Sequence, residues 1–254
     1  MSTPRGTSMP GFEVELGIDQ RLPTVPVEIA GRTYPLMLDL GDGRRITLSP
    51  AVVAEVQPRF TGHTLRSVDA MGNRLVTREL EVAELRLGAR TLRGVLGFED
   101  LEDPSYRSPN PHGSVGRRFF EDDAALLVDF PRRRLTVFDR RQAEAFQANL
   151  TCIPFEPEGF GIVSEVETDR GPLTVVWDTG AQHSLLRDER ATSVGNPGME
   201  QRNLRIGDEV YSVELAAYPF EEPPVDAYLG YDFFSAHAVY FNLSERCLAV
   251  DPPR

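Results

Sequence analysis

The two halves of this chain repeat each other, and the repetition limits the folds that the chain can adopt. The segment LVDFPRRRLTV (127–137) aligns without a gap with YFNLSERCLAV (240–250). Upstream of these segments, SVGRRFF (114–120) matches YLGYDFF (228–234). The spacing between the copies is the same for both matches except for a one-residue slip between the two blocks, and such repetition indicates that each copy is one structural unit. We therefore predict a tandem duplication whose two copies join near residues 140–150.

Most of each copy has the pattern of β-strands. Short apolar runs alternate with polar residues, as in TVPVEIAGRTYPLML and LLVDFPRRRLTVFD, and Gly, Pro, Asn and Asp separate them. This pattern is typical of strands joined by hairpins. Helical patterns are restricted to residues 140–150 and to the segments SPAVVAEV and LLRDERAT. The predicted fold class is mostly β.

Charge and composition exclude some partners and predict a location. A formal net charge of −12 at pH 7 argues against binding to nucleic acid or to an anionic membrane, because both need clustered cations. The chain has no apolar run typical of a signal peptide or of a membrane span, so we expect a cytoplasmic protein. The two cysteines, Cys152 and Cys247, are too few for a zinc site. A single bridge between them stays open, although burial as small apolar side chains is the favoured expectation.

Two short stretches carry the residues best suited to chemistry. In VVWDTGAQHSLL, Asp178 follows an apolar strand and Gly180 comes two residues later. In LMLDLGDGRRITL, Asp39 and Gly41 have the same arrangement. Two carboxylates held close together cannot both ionise, so they share a proton and can act as acid and base. A duplicated fold could bring the two aspartates together.

The stretch around Asp178 carries a resemblance to a known family. An apolar strand ending in Asp-Thr-Gly-Ala, followed fifty residues later by Tyr228, Leu229 and Gly230, resembles a lobe of a retropepsin-like aspartic peptidase. Two such lobes in one chain, with a flap hairpin only in the first, resemble the bilobal pepsin-like arrangement. The resemblance covers roughly residues 22–252. It implies a bilobal, acid-protease-like β-barrel architecture.

The resemblance also implies a division of the chain and a mode of action. It divides the chain into an N-terminal tail (1–20), an N-terminal lobe with a flap (21–145) and a C-terminal lobe (146–254). The implied function is that of an aspartic endopeptidase acting on a peptide or an unfolded protein through activated water. No cofactor and no metal ion is implied. Because one chain supplies both aspartates, a monomer is expected.

Each site residue has an implied role. Asp39 and Asp178 form the catalytic dyad, with Gly41 and Gly180 allowing close approach beside them. The hydroxyl of Thr179 is expected to form hydrogen bonds to the opposite lobe. Asp39 has an alternative role in hydrogen bonds within its own loop.

The first half contains the additional residues needed for a flap. Asp39 and Leu85 are 46 residues apart, whereas the matching Asp178 and Leu204 are 26 residues apart. Residues 64–80 read as two strands around a turn whose tip, at Met71, Gly72 and Asn73, would lie over substrate. The alternative is a tight turn without contact to substrate. A second insertion, residues 99–113, is acidic and rich in proline, and is expected to be an exposed loop.

The first loop departs from the family pattern at two positions. Leu40 replaces the hydroxyl residue, and Asp42 stands where the second copy has Ala181. An additional carboxylate there either raises the proton affinity of the pair or needs a cationic neighbour, for which Arg44 and Arg45 are the candidates. These departures support an alternative function: a catalytically weak or inactive protein that binds a peptide or protein partner in the cleft between the lobes.

Overall fold

Strands dominate the computed structural model, as the sequence predicts. The structure describes residues 11–68, 74–101, 111–188, 198–220 and 224–252. The predicted flap tip, Met71, Gly72 and Asn73, lies outside the described residues. Within the described ranges, no helix is long and apolar enough to cross a membrane.

Six strands close the barrel of the first lobe. In chain order they are β3 (Leu22–Ile29), β4 (Arg32–Asp39), β5 (Ile46–Leu48), β7 (Arg74–Leu87), β8 (Arg90–Leu101) and β9 (Gly113–Gly116). Around the barrel the order is β3-β4-β9-β5-β8-β7, and β7 closes it by pairing with β3. Two further strands extend this sheet: β2 (Gly17–Asp19) and β6 (Arg59–Val68). β6 and β7 form the predicted hairpin, although its strands are longer than the sequence indicates.

The second lobe repeats this barrel strand for strand. Its strands are β14 (Gly161–Thr168), β15 (Leu173–Trp177), β16 (Leu185–Arg187), β17 (Met199–Ile206), β18 (Glu209–Tyr218) and β19 (Ala227–Leu229). Their order, β14-β15-β19-β16-β18-β17 with β17 pairing back to β14, reproduces that of the first barrel. The short β13 (Glu156–Glu158) extends the sheet at β14, as β2 does at β3. The shared topology supports the predicted tandem duplication.

A third sheet connects the lobes. Its strands are β1 (Phe12–Glu15), β10 (Ala125–Asp129), β11 (Arg134–Phe138), β12 (Ile153–Pro154), β20 (Ala238–Asn242) and β21 (Cys247–Val250). At its centre β10 pairs with β20, and Leu127 lies opposite Tyr240, the residue with which it aligns in the sequence repeat. The axis that relates the copies therefore passes through this pair. Residues 12–19 of the predicted tail form β1 and β2, while the predicted domain boundaries stay predictions.

Two of the three predicted helices are present. Helix α1 (Pro50–Val56) begins at Ser49, whose hydroxyl caps it, and α2 (Arg140–Gln147) begins with a capping box at Asp139. One short helical turn follows the last strand of each barrel: a 3₁₀ turn (Arg117–Phe120) after β9 and α3 (Tyr231–Phe234) after β19. The helix predicted for LLRDERAT is wrong over its first residues, which form β16. Pairing with β18 and β19 there overrides the local helical pattern.

The predicted loop at residues 99–113 is shorter than expected. Residues 99–101 continue β8, and Glu99 is buried, where it pairs with Arg78 on β7. Residues 102–110 lie outside the described part of the chain. The acidic composition suggested exposure at Glu99, but a cationic partner on the neighbouring strand allows the carboxylate to be buried.

The favoured expectation for the cysteines is also wrong, because Cys152 and Cys247 form a disulfide. Their Cα atoms lie 5.3 Å apart, since β12 pairs with β21 and brings the two chain segments side by side. The two cysteines are 95 residues apart in sequence, and no local pattern indicates this contact. The bridge ties the start of the second lobe to the last strand of the chain.

Candidate active site

The two predicted catalytic aspartates follow equivalent strands. Asp39 ends β4 and lies opposite Gly116 of the parallel strand β9. Asp178 directly follows β15, and its backbone N–H donates to the carbonyl of Leu229 in the parallel strand β19 over 2.9 Å. Both side chains remain partly exposed. The parallel strand pairs thus fix each aspartate at the edge of its own barrel.

The structure brings the two aspartate loops into contact. A Cβ atom added to Gly41 would lie 2.5 Å from Oδ1 of Asp178, and one added to Gly180 would lie 2.6 Å from Cγ of Asp39. The carboxyl group of each lobe therefore occupies the space that a side chain would need in the other. Glycine is required at both positions because of this close approach. Four of the predicted site residues thus meet at one point between the lobes.

Thr179 joins the lobes directly beneath the aspartates. Its Oγ1 donates to the carbonyl of Leu38 over 2.7 Å and accepts from the N–H of Leu40 over 2.9 Å. The threonine is fully buried. We call this pair of hydrogen bonds the brace. Leu40 has no hydroxyl with which to reciprocate, and its side chain is instead buried in the main apolar core.

Ser184 holds the second loop in place and was not identified from the sequence. Its Oγ accepts from the N–H of Gly230 over 3.0 Å, and its own N–H donates to Asp232 over 2.9 Å. In the first lobe a backbone carbonyl takes the place of the Ser184 hydroxyl as acceptor: the N–H of Gly116 donates to the carbonyl of Arg45 over 3.1 Å. A lone serine outside the motif carries no sequence signal for this role.

Two further hydrogen bonds link the lobes near the aspartate loops. Gln182 Nε2, behind Asp178, donates to the carbonyl of Gln20 in the first lobe over 2.6 Å. In the other direction, Arg117, in the 3₁₀ turn after β9, donates to the carbonyl of Glu158 in the second lobe. These contacts link turns that are far apart in sequence. They add to the contacts that hold the two lobes together.

The electrostatics of the pair favour a shared proton. Burial raises the pKa of Asp178 to about 6, although hydrogen bonds from the Gly180 N–H and with Asp39 oppose the rise. Burial also raises the pKa of Asp39 well above its usual value, and the charges of Asp178 and Asp42 raise it further. The pair therefore keeps a proton at pH values at which an isolated aspartic acid is ionised.

Arg44, and not Arg45, is the partner of Asp42. Oδ1 of Asp42 accepts from the backbone N–H and from Nε of Arg44, both over 2.9 Å, and Oδ2 accepts from the same Nε over 3.1 Å. Arg45 pairs with Glu121 instead. The additional carboxylate of the first loop is thus compensated within the loop itself.

The chemistry available at this site is that of carboxyl groups. In the part of the chain that the structure describes, no group of three or more His, Cys, Asp and Glu side chains is arranged to hold a metal ion. Nδ1 of His183 lies 3.5 Å from Oδ2 of Asp232, and the two side chains form an ion pair when the histidine is protonated. A proton shared between Asp39 and Asp178 is suited to general acid and base catalysis.

Comparison with known proteins identifies the fold. No family model and no curated protein sequence matches the chain. Among solved structures, Basic 7S globulin from soybean matches with a TM-score of 0.66 at 10% identity, covering 96% of this chain and 95% of that one. An aspartic proteinase from Irpex lacteus matches with a TM-score of 0.66 at 12% identity, covering 95% of this chain and 97% of that one.

These likenesses show that the chain has the bilobal pepsin-like aspartic-protease fold. The narrower retropepsin-like assignment stays a prediction. One of the two similar structures is named a proteinase and the other a globulin. Activity therefore has to be argued from the site and not from the fold.

Proposed function

We propose that the protein is an aspartic endopeptidase that uses Asp39 and Asp178 as its catalytic pair. The observation that carries this proposal is the mutual contact of the two loops, in which each glycine lies against the opposite carboxyl group. A structural role for either aspartate alone would not require a glycine in the other lobe. The raised pKa of both carboxyl groups adds support, because perturbed pKa values concentrate at functional sites.

The reaction follows from one proton shared by two carboxyl groups. The ionised carboxylate takes a proton from a water molecule, whose oxygen attacks the carbonyl carbon of the peptide bond. The protonated carboxyl group gives its proton to the carbonyl oxygen, which yields a tetrahedral diol. The protonated member of the pair then gives its proton to the leaving nitrogen as the C–N bond breaks, and the ionised member takes a proton from one diol hydroxyl as the new C=O bond forms. The products are a carboxylic acid and an amine, and the pair again holds one proton.

The remaining site residues keep this geometry constant during the reaction. The brace from Thr179 fixes the two loops relative to each other, and the N–H groups of Gly180 and Asp42 each donate to one aspartate. Such preorganisation reduces the motion needed to reach the transition state. The proposed substrate is an extended peptide or an unfolded protein in the cleft. The proposed enzyme is a monomer, since both aspartates belong to one chain.

The competing function is binding of a peptide without hydrolysis. The observation that favours it is Leu40. Because this residue has no hydroxyl, only the side chain of Thr179 contributes hydrogen bonds to the brace. In this case the cleft would hold the same class of ligand and release it unchanged. Hydrolysis and binding differ in their products, so an assay can separate them.

The test is cleavage of an unfolded protein substrate from about pH 3 to about pH 7, where carboxyl pairs titrate. We expect the unmodified protein to cleave, and we expect Asp39→Asn and Asp178→Asn each to abolish cleavage. Asp208→Asn, at an exposed turn of the second lobe, is the matched control and should cleave normally. Cleavage that survives both dyad substitutions would refute the proposal. Saturable peptide binding with no cleavage at any pH would establish the competing function.

A further inference from the structure

A third carboxylate lies directly beside the dyad in the first lobe. The backbone N–H of Asp42 donates to Oδ1 of Asp39 over 2.9 Å and to the carbonyl of Asp39 over 3.2 Å. In the second lobe the matching turn closes with Ala181, whose N–H donates to the carbonyl of Asp178 over 3.3 Å. The two turns are therefore alike in backbone, and they differ in the charge that residue 42 adds.

Arg44 compensates this charge in a site largely closed to solvent. The side chains of Asp42 and Arg44 are 11% and 28% exposed, respectively, so water screens their interaction only partly. Arg44 also lies over the ring of Phe98, with Cζ 5.8 Å from the centre of the ring. The guanidinium is thus held by a carboxylate on one side and by an aromatic face on the other.

Other polar and charged groups surround the pair formed by Asp42 and Arg44. Arg117 donates its backbone N–H to the carbonyl of Asp42 over 2.8 Å, and its side chain reaches the carbonyl of Glu158. Asp100, on β8, acts on Arg44 through its charge. The hydroxyl of Thr47 lies 3.5 Å from Oδ2 of Asp42.

We propose that Asp42 and Arg44 form a charge-setting pair, which fixes the pH range over which Asp39 and Asp178 hold one shared proton. Asp42 is a positioning residue in this scheme, because it orients Asp39 through its N–H and acts on the proton only through its charge. The proposal rests on the proposed function for its catalytic meaning. The proton count of the two aspartates can, however, be measured without any catalysis.

The two members of the pair act on the dyad with opposite signs. The negative charge of Asp42 adds to the burial that raises the pKa of both Asp39 and Asp178. The positive charge of Arg44 opposes the rise at Asp39. Removing Asp42 alone should therefore let the dyad ionise at lower pH, and removing Arg44 alone should delay its ionisation to higher pH.

The test is a titration of the aspartate carboxyl carbons by NMR, with ¹³C-labelled aspartate in the full chain and the dyad signals assigned through Asp39→Asn and Asp178→Asn. We expect Asp42→Asn to move the titration of the dyad to lower pH by about one unit and Arg44→Gln to move it to higher pH by about one unit. Arg45→Gln is the matched control, because Arg45 is the next residue and pairs with the exposed Glu121. It should leave the titration unchanged.

Opposite shifts from the two substitutions would support the proposal. Shifts in the same direction, or none, would overturn it even if the protein cleaves peptides. Conversely, opposite shifts in a protein that never cleaves would retain the charge-setting pair and refute the proposed function. If Asp42→Asn does not fold, Arg44→Gln decides: a shift to higher pH supports the proposal, and an unchanged titration overturns it.

Discussion

Replacing Thr179 with valine should weaken the junction between the lobes by an amount that the structure allows us to work out. Valine has nearly the shape of threonine, so packing is kept and only the hydroxyl is lost. The brace consists of two buried hydrogen bonds, to the carbonyl of Leu38 and from the N–H of Leu40. Losing the bond to the Leu38 carbonyl costs about 1 kcal/mol net, and leaving the buried N–H of Leu40 without a partner costs about 1 to 3 kcal/mol. We expect the free energy of unfolding to fall by about 2 to 4 kcal/mol.

Urea unfolding measures this loss, and the fluorescence of Trp177 reports it. The chain has a single tryptophan, which is fully buried two residues before Thr179. Thr179→Ser is the matched control, because it keeps the hydroxyl and removes one methyl group, at a cost of about 1 kcal/mol. If the valine and serine variants unfold at the same urea concentration, the brace contributes no stability and our reasoning about it is wrong.

Three further outcomes follow from other contacts. The pKa of Asp178 is raised to about 6 in the folded protein. Its contribution to the free energy of unfolding is therefore complete below the pKa of an unfolded aspartic acid and is lost as pH rises through about 6. Asp178→Asn should flatten a plot of unfolding free energy against pH between these two values. Cys152 and Cys247 are 95 residues apart, so reducing their disulfide should lower the free energy of unfolding by about 4 to 5 kcal/mol. Urea titrations with and without reductant measure this difference. A variant with serine at both positions should not respond to reductant. Asp123→Asn should lower the free energy of unfolding by about 3 to 5 kcal/mol in the same titration, because it leaves Arg90 charged and buried without its carboxylate. Replacing both residues with apolar ones should lower it far less.

The aligned segments of the sequence anticipated the symmetry of the fold closely. Leu127 and Tyr240, which match in the repeat, lie opposite each other at the centre of the sheet that joins the lobes. The segments LRLG (85–88) and LRIG (204–207) also match, and their last residues, Gly88 and Gly207, both have positive φ at the turns of equivalent hairpins. Such agreement arises because a strand pattern and a tight turn are local properties, which a short segment specifies by itself.

Contacts between distant segments were beyond the sequence patterns. The sequence favours two buried thiols over the disulfide, because nothing local places Cys152 near Cys247. The bridge also bears on the predicted cytoplasmic location, which stays a prediction, since disulfides persist mainly in oxidising compartments. The helix expected at residues 185–187 is a strand for a similar reason, because its partners come from elsewhere in the chain.

By itself the sequence determined the mostly β class, the duplication pattern and the two loops that carry Asp39 and Asp178. These follow from alternation, turn residues and internal similarity, all of which are readable within short windows. Only the tertiary structure decided that the loops meet, that Arg44 compensates Asp42, and that Leu40 fills apolar space where a hydroxyl would have faced the other lobe. The reason is physical: the charge balance and hydrogen bonding of a buried site depend on which distant groups fold against it, and a local pattern does not encode those distances.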